Sequence, residues 1–362
     1  MGARPTARPA VLVASALVAL VAVAAPAAAD PPRPTDYRST VTGIVPEVDG
    51  VRAEIVGGDA FLQLTVDEGI EVVVPGYGDD AAPYLRFLPD GTVERNTRSP
   101  ATYVNEDRQG AVDVPPQADD EAEPEWEEVA SGGAYAWHDH RVHWMSPRRP
   151  PGVEPGEVVQ DWTVPIMVDG TPAEVRGELV LAAGVSPVPW FALVAAGAAV
   201  VVVLGRRRPG VAPVAVLVAA AAALVPGWAQ FSVAPAGSGA DPLLVAVPVV
   251  GLLAAGVGVA FRRRPLGPTA TLAGAAAVVG WAVLRASVLW KPVLPTDLPA
   301  GLDRGLTALA LGLAVAGAGL VVWSGALAVG RIPAGSGEPV VPTDEGPGAD
   351  DAAATRGGGE PR

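Results

Sequence analysis

Residues 186–208 read SPVPWFALVAAGAAVVVVLGRRR, an apolar run that ends in three consecutive arginines. As a helix the run is long enough to cross about 30 Å of hydrocarbon, and the arginines then mark the side on which it stops. This stretch divides the chain in two.

Downstream lie four more such runs, at about 211–231, 243–261, 269–289 and 306–329, so the sequence predicts a five-helix membrane domain over 187–330. Basic residues gather on the cytoplasmic side of membrane proteins. Arg206, Arg207 and Arg208 follow the first run, Arg262, Arg263 and Arg264 the third, and Arg331 the fifth, so all three sets belong inside. Trp190, Trp228 and Trp290 then fall near outer helix ends, where indoles favour the headgroup layer. Arg285 stands about one turn from the outer end of the fourth run and is expected to snorkel outward. The tail 331–362, rich in Gly, Ala, Pro and acidic residues, is expected to be disordered and cytoplasmic.

Upstream, residues 1–29 carry Arg4 and Arg8, an apolar run and the small-residue ending PAAAD, which together describe a secretory signal peptide. The 157 residues from 30 to 186 lack a long apolar run and form an exported domain large enough to bury its own core. Short alternating segments at 51–56, 61–66, 71–74, 84–88, 92–96, 161–168 and 173–181, separated by turns such as VDG and PDG, predict an all-β sandwich or barrel. Residues 113–128, DVPPQADDEAEPEWEE, are acidic and proline-containing and read as a solvated loop.

The exported domain holds 30 acidic and 11 basic residues, a charge of about −19 that repels nucleic acid and anionic surfaces. The chain has no cysteine, which excludes disulfides and thiolate metal sites. No H-E-x-x-H occurs, no nucleophile stands at a telling spacing, and the chain is not expected to be an enzyme.

All three histidines fall in residues 135–146, YAWHDHRVHWMS. On a regular strand His138 and His140 would share one face about 7 Å apart, with His143 on the other unless a bulge shifts the parity. His138, His140 and His143, with Met145 as a thioether, are the candidate metal ligands. Imidazole with thioether suits copper, and three imidazoles with water suit zinc. On the competing view the histidines are hydrogen-bonding parts of an aromatic strand or sense pH, and Asp139 and Arg141 pair with neighbouring strands.

Two phrases, VPGYGDDAAPYLRFLPDGTVERNTRSPATYVNEDR at 74–108 and WHDHRVHWM at 137–145, resemble a group of actinobacterial membrane proteins. Those join a secreted N-terminal domain to a multi-helix C-terminal half. The resemblance implies this architecture and no particular chemistry.

The sequence thus points to a multi-pass plasma-membrane protein with an extracytoplasmic domain that binds copper or another transition metal for envelope metal handling or sensing. Two other readings are a protein- or cell-wall-interaction module with structural histidines, and a subunit of a membrane transport or assembly complex. The expected partners are the lipid bilayer, a metal ion and an envelope protein.

Overall fold

The computed structural model describes residues 31–78, 81–208, 210–235 and 240–325. The leader read at 1–29 and the tail read at 331–362 lie outside the described residues.

Ten strands come first: β1 Tyr37–Val45, β2 Val51–Val56, β3 Phe61–Val66, β4 Val72–Pro75, β5 Pro83–Phe87, β6 Val93–Asn96, β7 Trp126–Ala130, β8 Ala134–Trp137, β9 Val158–Val168 and β10 Thr171–Leu181. A one-turn helix, α1 at Pro100–Val104, follows β6. The strands make a seven-stranded antiparallel sheet in the order β1-β10-β9-β4-β5-β6-β7, and a three-stranded sheet in the order β2-β3-β8. No closed barrel forms among them, and a sandwich of two open sheets is what the strand order gives.

The longest hairpin shows why these residues choose strands. In β9, Trp162, Val164, Ile166 and Val168 are buried while the residues between them are exposed, the period of two that buries one face. Asp169 and Gly170 both take positive φ, 47° and 77°, closing the two-residue turn in the hand that matches strand twist. Gly177 sits opposite Trp162, and a Cβ there would come within 2.1 Å of the indole, so only glycine leaves the ring its place.

Leu62, Leu64 and Trp137 of the small sheet share one core with Val72, Leu85, Phe87, Ile166 and Leu179 of the large one. Burial between the faces supplies the main driving force, at about 25 cal/mol per Å² of apolar surface. The edge strand β7 exposes Glu127 and Glu128, charges that discourage pairing with another sheet. Three strands differ from expectation: β1 is additional, β7 takes its first residues from the end of the acidic segment, and β8 is only the start of the strand expected over the histidine stretch.

Five long helices follow: α2 Val188–Arg207, α3 Val211–Val233, α4 Leu243–Ala260, α5 Leu266–Leu284 and α6 Ala300–Trp323. Each is long and apolar enough to cross a membrane, as expected of a protein that associates with a bilayer. Their packing uses small residues. A Cβ on Gly227 would lie 2.1 Å from the Leu244 carbonyl oxygen, and one on Gly312 2.4 Å from that of Val194, so backbones touch where other residues would hold them apart.

Two boundaries differ from the hydropathy reading. The fourth span ends at Leu284 and passes into a 3₁₀ turn at Ala286–Leu289, and α6 begins at Ala300, ahead of the apolar run. That earlier start brings Asp303 and Arg304 into the first turns of α6, where both are buried. Arg285 therefore does not snorkel: it is 4% exposed and its Nη2 lies 3.1 Å from both carboxylate oxygens of Asp303. A nearby opposite charge offsets desolvation that an unpaired arginine would otherwise escape by reaching water. Arg304 donates to the carbonyls of Val288, Lys291 and Pro292 at 3.0, 2.8 and 3.2 Å, tying the segment after α5 onto α6.

The sandwich is joined to the helices by the segments before β1 and after α5. Thr35 and Val293 exchange two backbone hydrogen bonds, at 3.0 and 3.2 Å, and Lys291 Nζ lies 2.6 Å from Asp36. Gln230 near the end of α3 donates to the Pro32 carbonyl at 3.0 Å.

Candidate functional site

The histidine segment is not a strand. β8 stops at Trp137, which pairs with Leu62 of β3, and the next residues turn, with Val142 N–H donating to the Asp139 carbonyl at 3.1 Å. Asp139 makes the turn. Its fully buried carboxylate accepts from the Trp137 indole at 2.9 Å, the Arg141 amide at 3.0 Å, and Arg141 Nε and Nη2 at 2.7 and 2.6 Å. A short acidic side chain that bonds the amide two residues on is a local alternative to a sheet ladder, and here it wins. Asp139 and Arg141 thus pair with each other rather than with neighbouring strands.

Burial raises the Asp139 carboxyl, but the Arg141 charge, its hydrogen bonds and the Trp137 indole outweigh it and hold the group below its ordinary value. Arg141 also donates to the Gly76 carbonyl at 3.2 Å and lies 4.8 Å over the Tyr77 ring. Tyr77 in turn accepts the His140 amide at 3.0 Å and donates to Asn105. The 74–108 phrase and the histidine phrase, far apart in sequence, build one polar network.

The turn sends the three imidazoles to different neighbours. His138 is 1% exposed and stacks on Phe61 at 4.2 Å, its Nδ1 donating to the Ala60 carbonyl. His140 stacks at 5.8 Å on Tyr77, and its Nε2 donates to the Asp107 carbonyl at 2.9 Å. Since a carbonyl oxygen only accepts, the proton is assigned to that nitrogen in each ring.

His143 is fully buried and stands edge-on to His140, with ring centroids 5.5 Å apart. Its Nδ1 is 3.4 Å from the Trp144 carbonyl, and Nε2 has no partner among the described residues. Burial, reinforced by the charge of Arg108, pushes this imidazole down to about 3. Arg108 is held by the buried carboxylate of Asp59 at 2.5 Å.

Of the expected ligand set, then, His140 and His143 are brought together, His138 has its ring against Phe61, and Met145 is exposed. Among the described residues no group of three or more His, Cys, Asp or Glu could hold a metal ion. Phe61, Tyr77, Asp59 and Arg108 are not marked as site residues by the sequence, because only the tertiary fold sets them beside the turn. Tyr77 and Arg108 do lie in the distinctive 74–108 phrase, which is the signal that could have found them.

No protein-family model, curated protein or solved structure matches the chain, so its function rests on its own residues.

Proposed function

We propose that the protein is a non-enzymatic, membrane-anchored interaction module. Its β-sandwich stands on the extracytoplasmic side, contacts a protein or cell-wall polymer, and uses its histidines as structural parts. The single observation that carries this reading is the inward construction of the turn: His138 and His143 are buried, and His138 and His140 each direct a ring N–H to a backbone carbonyl. These bonds hold the loop in place, and what weighs against an ion is that among the described residues no three His, Cys, Asp or Glu side chains come together to ligate one.

The outward placement of the sandwich draws support from the bundle. Arg206 and Arg262, members of the two arginine triplets, line one cavity with Ala212, Gly267 and Leu320, at the end opposite the junction with the sandwich. Clustered arginines favour the cytoplasmic side.

The second reading is transition-metal binding, copper before zinc. It is favoured by the adjacency of His140 and His143 and by the unpartnered Nε2 of His143. Calorimetric titration of the full-length protein in detergent with Cu²⁺ and Zn²⁺ separates the two. The interaction reading expects no binding tighter than millimolar, together with lower stability when His138 or His143 is replaced by alanine. Micromolar copper binding abolished by His140→Ala and His143→Ala would replace it with the metal reading. Salt-sensitive co-sedimentation with isolated cell wall, or a crosslinked envelope partner, then identifies the contact.

A further inference from the structure

Where residues 31–36 cross the end of the helical bundle, a cavity of about 280 Å³ lies between them and α3, α4 and α5. Its lining is divided in character. Arg33, Gln230 and Arg285 supply polar groups, and Leu243, Val247 and Leu284 an apolar wall. Leu284 is 78% exposed on a membrane-spanning helix, so the apolar wall continues to the surface that acyl chains would cover.

The polar groups are incompletely used. Arg285 is 4% exposed; its Nη2 binds Asp303, while Nε and Nη1 have no partner among the described residues. Gln230 is 6% exposed and donates through Nε2 to Pro32, leaving Oε1 without a partner there. Arg33 is exposed and forms no ion pair among the described residues. Asp241 also lines the cavity; its Oδ1 accepts the Leu243 amide at 2.9 Å, and its negative charge is one that Arg33 and Arg285 must outweigh to hold an anion there. Buried donors without acceptors are costly, and arginine N–H groups fit the oxygens of a phosphate.

We propose that this cavity binds the phosphate headgroup of a membrane lipid. Arg285 and Arg33 donate to the phosphate oxygens, Gln230 Oε1 accepts a headgroup hydroxyl, and the acyl chains leave past Val247 and Leu284. Seated between residues 31–36 and the helix ends, the lipid would brace the junction that also carries the Thr35–Val293 bridge.

Native mass spectrometry of the full-length protein in detergent tests this, with phosphatidylglycerol, diacylglycerol and inorganic phosphate as probes. Phosphatidylglycerol should be retained about tenfold better than diacylglycerol, and Arg33→Gln and Arg285→Lys should each weaken retention about tenfold. The lysine keeps a charge opposite Asp303, and exposed Arg33 forms no ion pair among the described residues, so loss in both variants reports the site. Equal retention of the two lipids, or wild-type retention in both variants, would overturn the proposal. Displacement of the lipid by millimolar inorganic phosphate would overturn the lipid assignment in favour of a soluble anion.

Discussion

The carboxylate of Asp139 grips the guanidinium of Arg141 two residues on, with Nε 2.7 Å from Oδ1 and Nη2 2.6 Å from Oδ2. This clasp turns the chain at the end of β8 and decides where all three histidines go. Removing the carboxylate leaves a largely buried arginine without its counter-charge and the Trp137 indole without its acceptor. Asp139→Ala should therefore destabilise the sandwich by about 3–5 kcal/mol, and Asp139→Leu combined with Arg141→Met should recover much of the loss. Denaturant unfolding followed by tryptophan emission measures both, and an Asp139→Ala midpoint equal to that of the wild type would refute the role assigned to the clasp.

His143 gives the sandwich an acid limb. Its imidazole titrates at about 3 when folded, against an ordinary value of 6.5. Between those pH values the unfolded chain binds a proton that the folded chain does not, so stability rises with pH, by about 1.4 kcal/mol per unit from this group. The contribution is complete above pH 6.5 and is lost as pH falls toward 3. The difference in unfolding free energy between the wild type and His143→Phe should carry this slope from pH 4 to 6 and be flat from pH 7 to 8. The same direction argues against His143 as a charge switch near neutrality.

The junction can be locked. Thr35 and Val293 are a hydrogen-bonded antiparallel pair, for which Cα atoms lie about 5.5 Å apart, within the span of a disulfide. The chain contains no cysteine, so Thr35→Cys with Val293→Cys introduces the sole pair. Mild oxidation should give a single intramolecular bridge, seen as a reducible gel shift in the double variant and in neither single variant.

Orientation is testable with the same cysteine-free background. A lone cysteine at exposed Asp49, in the β1–β2 connection, should react with an impermeant maleimide on intact cells. One at exposed Arg263, between α4 and α5, should react only after permeabilisation. The reverse pattern would invert the proposed topology.

Much of the fold could be read residue by residue. Alternation marked β9 and β10, because a two-residue period has one outcome when one face is buried, and Asp169-Gly170 marked their turn. Long Ala/Val/Leu runs marked the helices, because an apolar backbone in lipid must satisfy its own hydrogen bonds. The end of β8 is not legible for a local reason: Asp139 competes with the ladder for the backbone, and alternation of aromatics and histidines does not reveal the winner. Asp303 and Arg304 fall ahead of the fifth apolar run because hydropathy scores them as polar and cannot see a partner.

The division into a β-domain and five apolar helices, the acidic and cysteine-free composition of the β-domain, and the confinement of every histidine to six residues are all legible in the chain. These depend on composition and period, which are local. That His138 meets Phe61, that His140 meets Tyr77 and His143, and that Arg285 finds Asp303 follows from the folded arrangement alone. Each of those encounters joins segments whose approach is set by sheet order and helix packing, and a buried polar group settles wherever that packing supplies its partner.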